Sequence, residues 1–341
     1  MNFKDVTIRA AALALLTTWG CGTQPASSEG AAESAPFEMP AVVRPAIPER
    51  TVSVEDYGGV GDGHALNTTA FAAAIDSLAA AGGGRLVVPE GVWYTGPIVL
   101  KDNIELHLMR NALIIFDNNP AHYPLVETTF EGLNTLRCQS PLSARGAKNV
   151  AITGHGVIDG NGDAWRAVKR DKLTDREWAA KVKSGGVLSD DGKTWYPSES
   201  YKFGATSGAD QNVSTWATTR EDFERMHDFL RPVMVSLHHC ENVLLEDVTF
   251  QNSPCWNIHP AMCTNLTVNN ITVRCPDYAQ NSDGIDIESC RNVVVRDSRF
   301  DVGDDGICIK SGKDEAGRRR GIPCENVLVE NCIVFHGHGG F

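Results

Sequence analysis

A chain of 341 residues with a formal net charge of −12 can bury a large core, as one repetitive domain or as two ordinary ones. The acidic balance excludes a general nucleic-acid binder, since phosphate neutralisation needs a basic face, and it means that any polyanion must be held by a local basic patch. Thirty-two glycines, few aromatics and short Val/Ile/Leu runs favour many short strands over a helical bundle, and no apolar run long enough to span a membrane follows the N-terminus.

In chain order, Lys4 and Arg9 precede an apolar stretch from Ala10 to Trp19, so residues 1–21 read as a secretory leader. Gly20-Cys21 resembles a lipoprotein processing site, although Thr18 stands where an aliphatic residue is usual. A lipid anchor at Cys21, simple cleavage and an uncut anchor all stay open. The expectation is an exported protein: periplasmic, an outer-surface lipoprotein or secreted. Residues 22–48, rich in Ala, Ser, Glu and Pro, read as a disordered tether, and residues 49–341 as the folded domain. A first helix is expected with Asn67 as its cap, Phe71, Ile75 and Leu78 as its apolar face and Gly82-Gly83-Gly84 as its stop. It would plug the open end of the repeat array that follows.

Internal repeats organise the rest. Segments beginning at Asn149, Asn242, Asn265, Asn292 and Asn326 share asparagine, an aliphatic residue and then period-2 alternation; Lys101-Asp102-Asn103-Ile104 opens a weaker copy. The last four begin 23, 27 and 34 residues apart. A unit this short must stack on its neighbours to bury its apolar face. Strand-bearing units of this length suit an all-β fold, a right-handed parallel β-helix with coils about 4.8 Å apart. Leucine-rich repeats need a leucine framework that is absent. Cys240, Cys263, Cys290 and Cys324 each lie two residues before a repeat asparagine, which predicts a buried thiol ladder rather than disulfides. The asparagines predict a side-chain hydrogen-bond ladder. Residues 161–231 interrupt the repeats, with one helix opened by Thr174 and Glu177 and a second by Thr218 and Glu221. This insertion is expected to form a rim at one end of a groove.

The repeats bring carboxylates into register. Asp283 lies in Asn281-Ser282-Asp283-Gly284 and the pair Asp304-Asp305 lies 21 residues on, close to one coil. Solvated Asp-Gly turns, a calcium site and an acid–base pair are the competing readings. An inverting hydrolytic pair needs carboxyls about 6.5–9.5 Å apart, which one coil plus side-chain reach supplies. His336-Gly337-His338-Gly339-Gly340 falls on the next coil, where a histidine can tune or orient an acid. Residues 310–321 carry five basic and two acidic side chains, a loop suited to an acidic sugar.

Asn281-Ser282-Asp283, Gly303-Asp304-Asp305 and Gly337-His338-Gly339 resemble, in order, three of the four signature motifs of glycoside hydrolase family 28, the polygalacturonases. The likeness runs from about Val52 to Phe341 and includes Tyr57-Gly58, Gly61-Asp62-Gly63 with Asn67-Thr68, and the run from Gly154 to Gly160. It implies inverting hydrolysis of α-1,4 bonds between galacturonic acids. Asp304 would be the general acid, Asp283 and Asp305 would activate the water, and His338 would support the acid or hold substrate. Ser282 stands where the family has threonine, which keeps the hydroxyl. The family's fourth motif, Arg-Ile-Lys, lies further along, so the domain is expected to be incomplete at its C-terminal end. Trp256-Asn257-Ile258-His259-Pro260 and Lys310-Ser311-Gly312 resemble the exo-acting branch. Lys310, Trp256, His259 and Arg318 are the candidate substrate-binding residues, with coil packing as the alternative for Trp256. No metal and no cofactor are expected. The expected partner is an acidic polysaccharide, with no nucleic acid, no membrane span and a monomeric state. The alternatives are a calcium-dependent pectate lyase on the same fold and a non-catalytic β-helix that binds carbohydrate or is an inactive fragment.

Overall fold

The computed structural model describes residues 38–208 and 213–341. The expected leader and most of the tether lie outside the described residues. Three parallel sheets of eight, seven and six strands run side by side. A complete coil contributes one strand to each sheet: Thr264–Asn269, Thr272–Arg274 and Ile285–Glu288 make one, and Arg291–Arg296, Arg299–Asp301 and Ile307–Lys310 the next. The fold is a right-handed parallel β-helix, the hand that twisted parallel crossovers adopt. Among the described residues no helix is long and apolar enough to cross a membrane.

Register follows the repeats. Val243, Leu266, Val293 and Val327 pair in succession, so the 23-, 27- and 34-residue steps are one coil each. Inside, Leu106, Ile152, Leu245, Val268 and Val295 form one stack, all fully buried. Each such side chain is worth roughly 1.5–3 kcal/mol on leaving water. Cys240, Cys263 and Cys290 are buried on the same interior and Cys324 half-buried, and the nine described cysteines are all free thiols. The thiols of Cys263, Cys290 and Cys324 donate to the carbonyls of Leu237, Pro260 and Ile287 on the preceding coil.

The asparagines turn the chain. Asn103, Asn149, Asn242, Asn265, Asn292 and Asn326 have φ between 54° and 60°, the left-handed region that asparagine tolerates better than most residues. From Asn149 onward, each side-chain amide donates to the Oδ1 of the asparagine one coil earlier, at 2.8 to 3.1 Å.

The helix Thr68–Ala80 packs against the first coil, with Phe71, Ile75 and Leu78 in the same core as Leu86 and Ile104. Asn67 occupies the cap position without capping: its amide holds the preceding loop instead, accepting from Val60 N and donating to the Val60, Ala65 and Tyr94 carbonyls. The tether expectation fails over its last residues, because Arg44 pairs with Glu246 at 2.8 Å and Ala46 N donates to Asn149 Oδ1.

The insertion has its own small core, in which Trp165, Tyr201, Phe223, Met226 and Leu230 pack with Tyr123 and Leu125. The helix Asp175–Lys183 carries the expected Thr174–Glu177 capping box. The second expected helix starts one residue later, because Thr219 and Asp222 close the capping box before Arg220–Glu224. A helix Glu199–Thr206, a three-stranded antiparallel sheet and the hairpin Leu125–Phe130/Leu133–Cys138 carry no repeat signal and were not expected.

Asn265→Ala removes two ladder bonds and strains a positive-φ position, so it should lower unfolding stability by about 2–3 kcal/mol in urea. Asn265→Gly keeps the φ and should lose less. Equal losses for the two variants would remove backbone conformation from the account.

Candidate active site

The three aspartates meet where two adjacent coils enter the six-stranded sheet. Asp283 precedes the strand Ile285–Glu288, and Asp304-Asp305 precede Ile307–Lys310, its partner one coil on. Glycine makes the approach possible: a Cβ at Gly284 would lie 2.3 Å from the Gly306 carbonyl oxygen. The Ser282 hydroxyl donates to Ala279 O and accepts from Gly303 N at 2.9 Å, so the hydroxyl kept at this position ties one aspartate-bearing turn to the other.

The Gly337-His338-Gly339 turn folds back over this pair. His338 N donates to the Asp304 carbonyl at 3.1 Å, and His338 Nδ1 lies 3.2 Å from Asp304 Oδ1. A Cβ at Gly337 would meet the Asp304 carbonyl oxygen at 2.8 Å, and one at Gly339 would meet Asp305 Oδ1 at 3.0 Å. Asp304 and Asp305 are half-buried and His338 is exposed, whereas Asp283 is only 5% exposed.

Burial pushes the Asp283 carboxyl up, to about 8, and the charges of Asp286 and Asp304 add to the rise. Asp283 Oδ1 has no hydrogen-bond donor among the described residues. Asp286 is also raised by burial, to about 6, although Lys310 opposes the rise. Burial pushes the Cys308 thiol far up, and its Sγ lies 3.4 Å from Asp283 Oδ2 and 3.8 Å from Asp305 Oδ2. Asp283, Asp305 and Cys308 offer three ligand atoms within 4.8 Å of one another. A thiol with two carboxylates suits a borderline cation such as zinc; calcium takes all-oxygen sites.

Of the four expected substrate contacts, Lys310 alone reaches the cluster. Its Nζ lies 2.5 Å from Asp286 Oδ1 and 3.8 Å above the Trp256 ring. Trp256 is corrected from sugar-facing to packed: it is 1% exposed and stacked on Phe130 at 4.1 Å, a platform under Lys310. His259 is likewise fully buried, with Nε2 2.9 Å from Glu288 Oε2. Arg318 is exposed on a helix, Asp314–Arg320, where a loop was expected. Arg320 turns inward instead, onto Glu288 Oε1 at 2.5 Å and the Gly132 carbonyl at 3.0 Å. Burial works against the Glu288 charge, but His259 and Arg320 outweigh it and hold the carboxyl down at about 2.

Asp286, Glu288 and Cys308 escaped the sequence reading, and Arg320 was legible only as one member of the basic run at residues 310–321. A signal for the first three exists: Ile285-Asp286-Ile287-Glu288 and Ile307-Cys308-Ile309-Lys310 alternate with period 2, which puts their polar residues on the outward face of paired strands.

A parallel β-helix with carboxylates clustered across two coils is a carboxylate-centred solenoid. Residues 202–340 match the family described as glycosyl hydrolases family 28, and the chain carries a domain of that family. It is 30% identical over 308 residues to an exo-poly-alpha-D-galacturonosidase of Dickeya chrysanthemi, covering 86% of this chain and 47% of the relative. The structure resembles an exopolygalacturonase from Thermotoga maritima (TM-score 0.67, 38% identity, 86% of this chain and 62% of the other). It also resembles a family 28 exopolygalacturonase from Yersinia enterocolitica (TM-score 0.65, 25% identity, 86% and 50%). The chain spans about half the length of the curated relatives it matches.

A carboxyl whose folded pKa lies above its unfolded value gives stability that is complete below about pH 4 and is lost as pH rises through the folded pKa. Asp283→Asn should therefore melt progressively higher than the wild type as pH rises from about 4 to about 8, the window set by the raised Asp283 pKa. A difference in melting temperature that stays constant over that range would contradict the buried-proton account.

Proposed function

We propose that this protein hydrolyses α-1,4-galacturonosyl bonds of pectin-type galacturonan with inversion, releasing galacturonate from a chain end. The observation that carries the reading is the cluster of Asp283, Asp304 and Asp305 on adjacent coils with His338 on Asp304. Asp304, half-buried and flanked by the histidine, protonates the glycosidic oxygen as its bond to C1 breaks. A water attacks C1 from the opposite face and gives its proton to Asp283, with Asp305 holding it in line. Once ionised, Asp283 is a stronger base than an ordinary aspartate, because its raised pKa reflects a greater affinity for the proton, so the role predicts a rate that rises with pH as Asp283 ionises. His338 keeps the acid oriented, and Lys310, seated on Trp256, steadies the buried charge of Asp286 and offers a cation to the sugar carboxylate. The insertion over residues 161–231 forms the rim that closes one end of the groove. The leader-like residues 1–21 and the candidate anchor at Cys21 support an exported protein. A calcium-dependent lyase is disfavoured by the thiol within the donor set.

An activated aryl α-galacturonide needs no acid for its leaving group. Asp304→Asn should lose about 10²–10⁴-fold on polygalacturonate, measured with chelator present, and recover most of its rate on the aryl substrate. Asp283→Asn should be slow on both. The reverse pattern would exchange the two roles, and a folded wild type that releases no reducing sugar would overturn the reading.

A further inference from the structure

A second polar site lies away from the aspartate cluster. The hairpin Leu125–Phe130/Leu133–Cys138, the helix Arg220–Glu224 and the ends of the strands Leu142–Arg145 and Val235–His238 enclose a cavity of about 550 Å³. That is within the size range of small-molecule sites. Arg145, Arg220 and Arg320 line it, and Glu127 is the one acidic side chain among its lining residues. In a protein of net charge −12 this is a local reversal of sign.

The arginines are drawn from three separate parts of the chain. Arg145 gives one N–H to the Glu127 carbonyl and has no carboxylate partner among the described residues. Arg220 is exposed, with Glu224 at 3.2 Å and the Leu125 carbonyl as partners. Arg320 bonds Glu288 and Gly132 O, so it joins the cavity to the buried network beside the aspartates. Burial lowers the pKa of His239 in the cavity wall, and the charges of Arg145 and Arg320 lower it further, so both fields reach one point. Burial, His259 and Arg145 hold His238 down to about 3, so its ring is neutral, and its Nε2 lies 3.2 Å from the Thr128 hydroxyl. The positive charge is therefore carried by guanidinium groups, with hydroxyls beside them.

We infer that this cavity is an anion site that takes a uronate, its carboxylate held by Arg145 and Arg220 and its ring hydroxyls by the threonine-lined hairpin. Guanidinium pairs a carboxylate through two parallel hydrogen bonds, and because Arg145 and Arg220 are both exposed the attraction should weaken as salt rises. The choice of a sugar acid rests on the proposed function; the anion site rests on the cavity alone.

The test is calorimetric titration of the whole protein with sodium D-galacturonate, D-galactose and sodium sulfate, using wild type, Arg145→Ala/Arg220→Ala and the milder Arg145→Gln. Melting temperature checks that each variant is folded. Galacturonate should bind the wild type, lose one class of site or at least ten-fold in affinity in the double variant, and weaken partly in Arg145→Gln. Galactose should not bind this class of site. Unchanged galacturonate binding in the folded variants overturns the inference, and sulfate binding as tightly as galacturonate overturns the uronate assignment. Polygalacturonate hydrolysis is read on the same samples. Charge-dependent binding without hydrolysis would retire the proposed activity and keep the site; hydrolysis with arginine-independent binding would do the opposite.

Discussion

In-register parallel pairing of one coil on the next is the constraint from which the rest follows. It fixes which side chain lies over which: Leu266 meets Val243 on one side and Val293 on the other. A slip of one residue would turn that whole stack from the core to the solvent face. The asparagine ladder locks the register, because each amide must meet its counterpart in the same left-handed turn of the neighbouring coil. The aspartates are positioned by the same pairing. Asp283 and the Asp304-Asp305 pair open successive strands of one sheet, and Gly284 lets those openings touch.

Like charges brought together in this way are costly, and the structure meets the cost in two layers. The outer layer, Asp304, Asp305 and His338, remains in contact with water. The inner layer is compensated by Lys310 on Asp286 and Arg320 on Glu288, with His259 hydrogen-bonded to the same Glu288 carboxylate. Breaking one partner of such a buried pair leaves an uncompensated charge, a loss of about 3–5 kcal/mol in comparable cases. Trp256 and Phe130 belong to this support, since they fix Lys310 from below. Asp283 sits between the layers, its pKa pushed above the usual carboxylate range by burial and by the neighbouring charges of Asp286 and Asp304.

Net charge and local charge have different jobs here. A total of −12 repels a polyanion at long range, yet the groups next to the cluster and in the hairpin cavity are cationic. Two of the cavity cations come from parts of the chain that break the repeat: the insertion supplies Arg220, and a short helix between two coils supplies Arg320, which the hairpin supports through Gly132. Repetition builds the scaffold, and the interruptions decide what it can hold.

The asparagine and cysteine spacings, the period-2 runs and the recurrence of aspartates about one coil apart determined the solenoid, its ladders and the carboxylate cluster, because each depends only on the spacing of residues along one repeating path. Outward-facing Asp286, Glu288 and Cys308 were legible in principle by the same alternation. Of the two alternatives for Trp256, sugar-facing or packed, tertiary packing gives the second, because Phe130 of a hairpin that pairs only with itself and leaves no repeat signal stacks on its ring. The sequence likewise pointed to the whole basic run at residues 310–321, but helix geometry turns Arg320 inward and leaves Arg318 exposed. Which charge meets which across coils, hairpin and insertion depends on side-chain reach between segments far apart in the chain, and only the folded structure sets that.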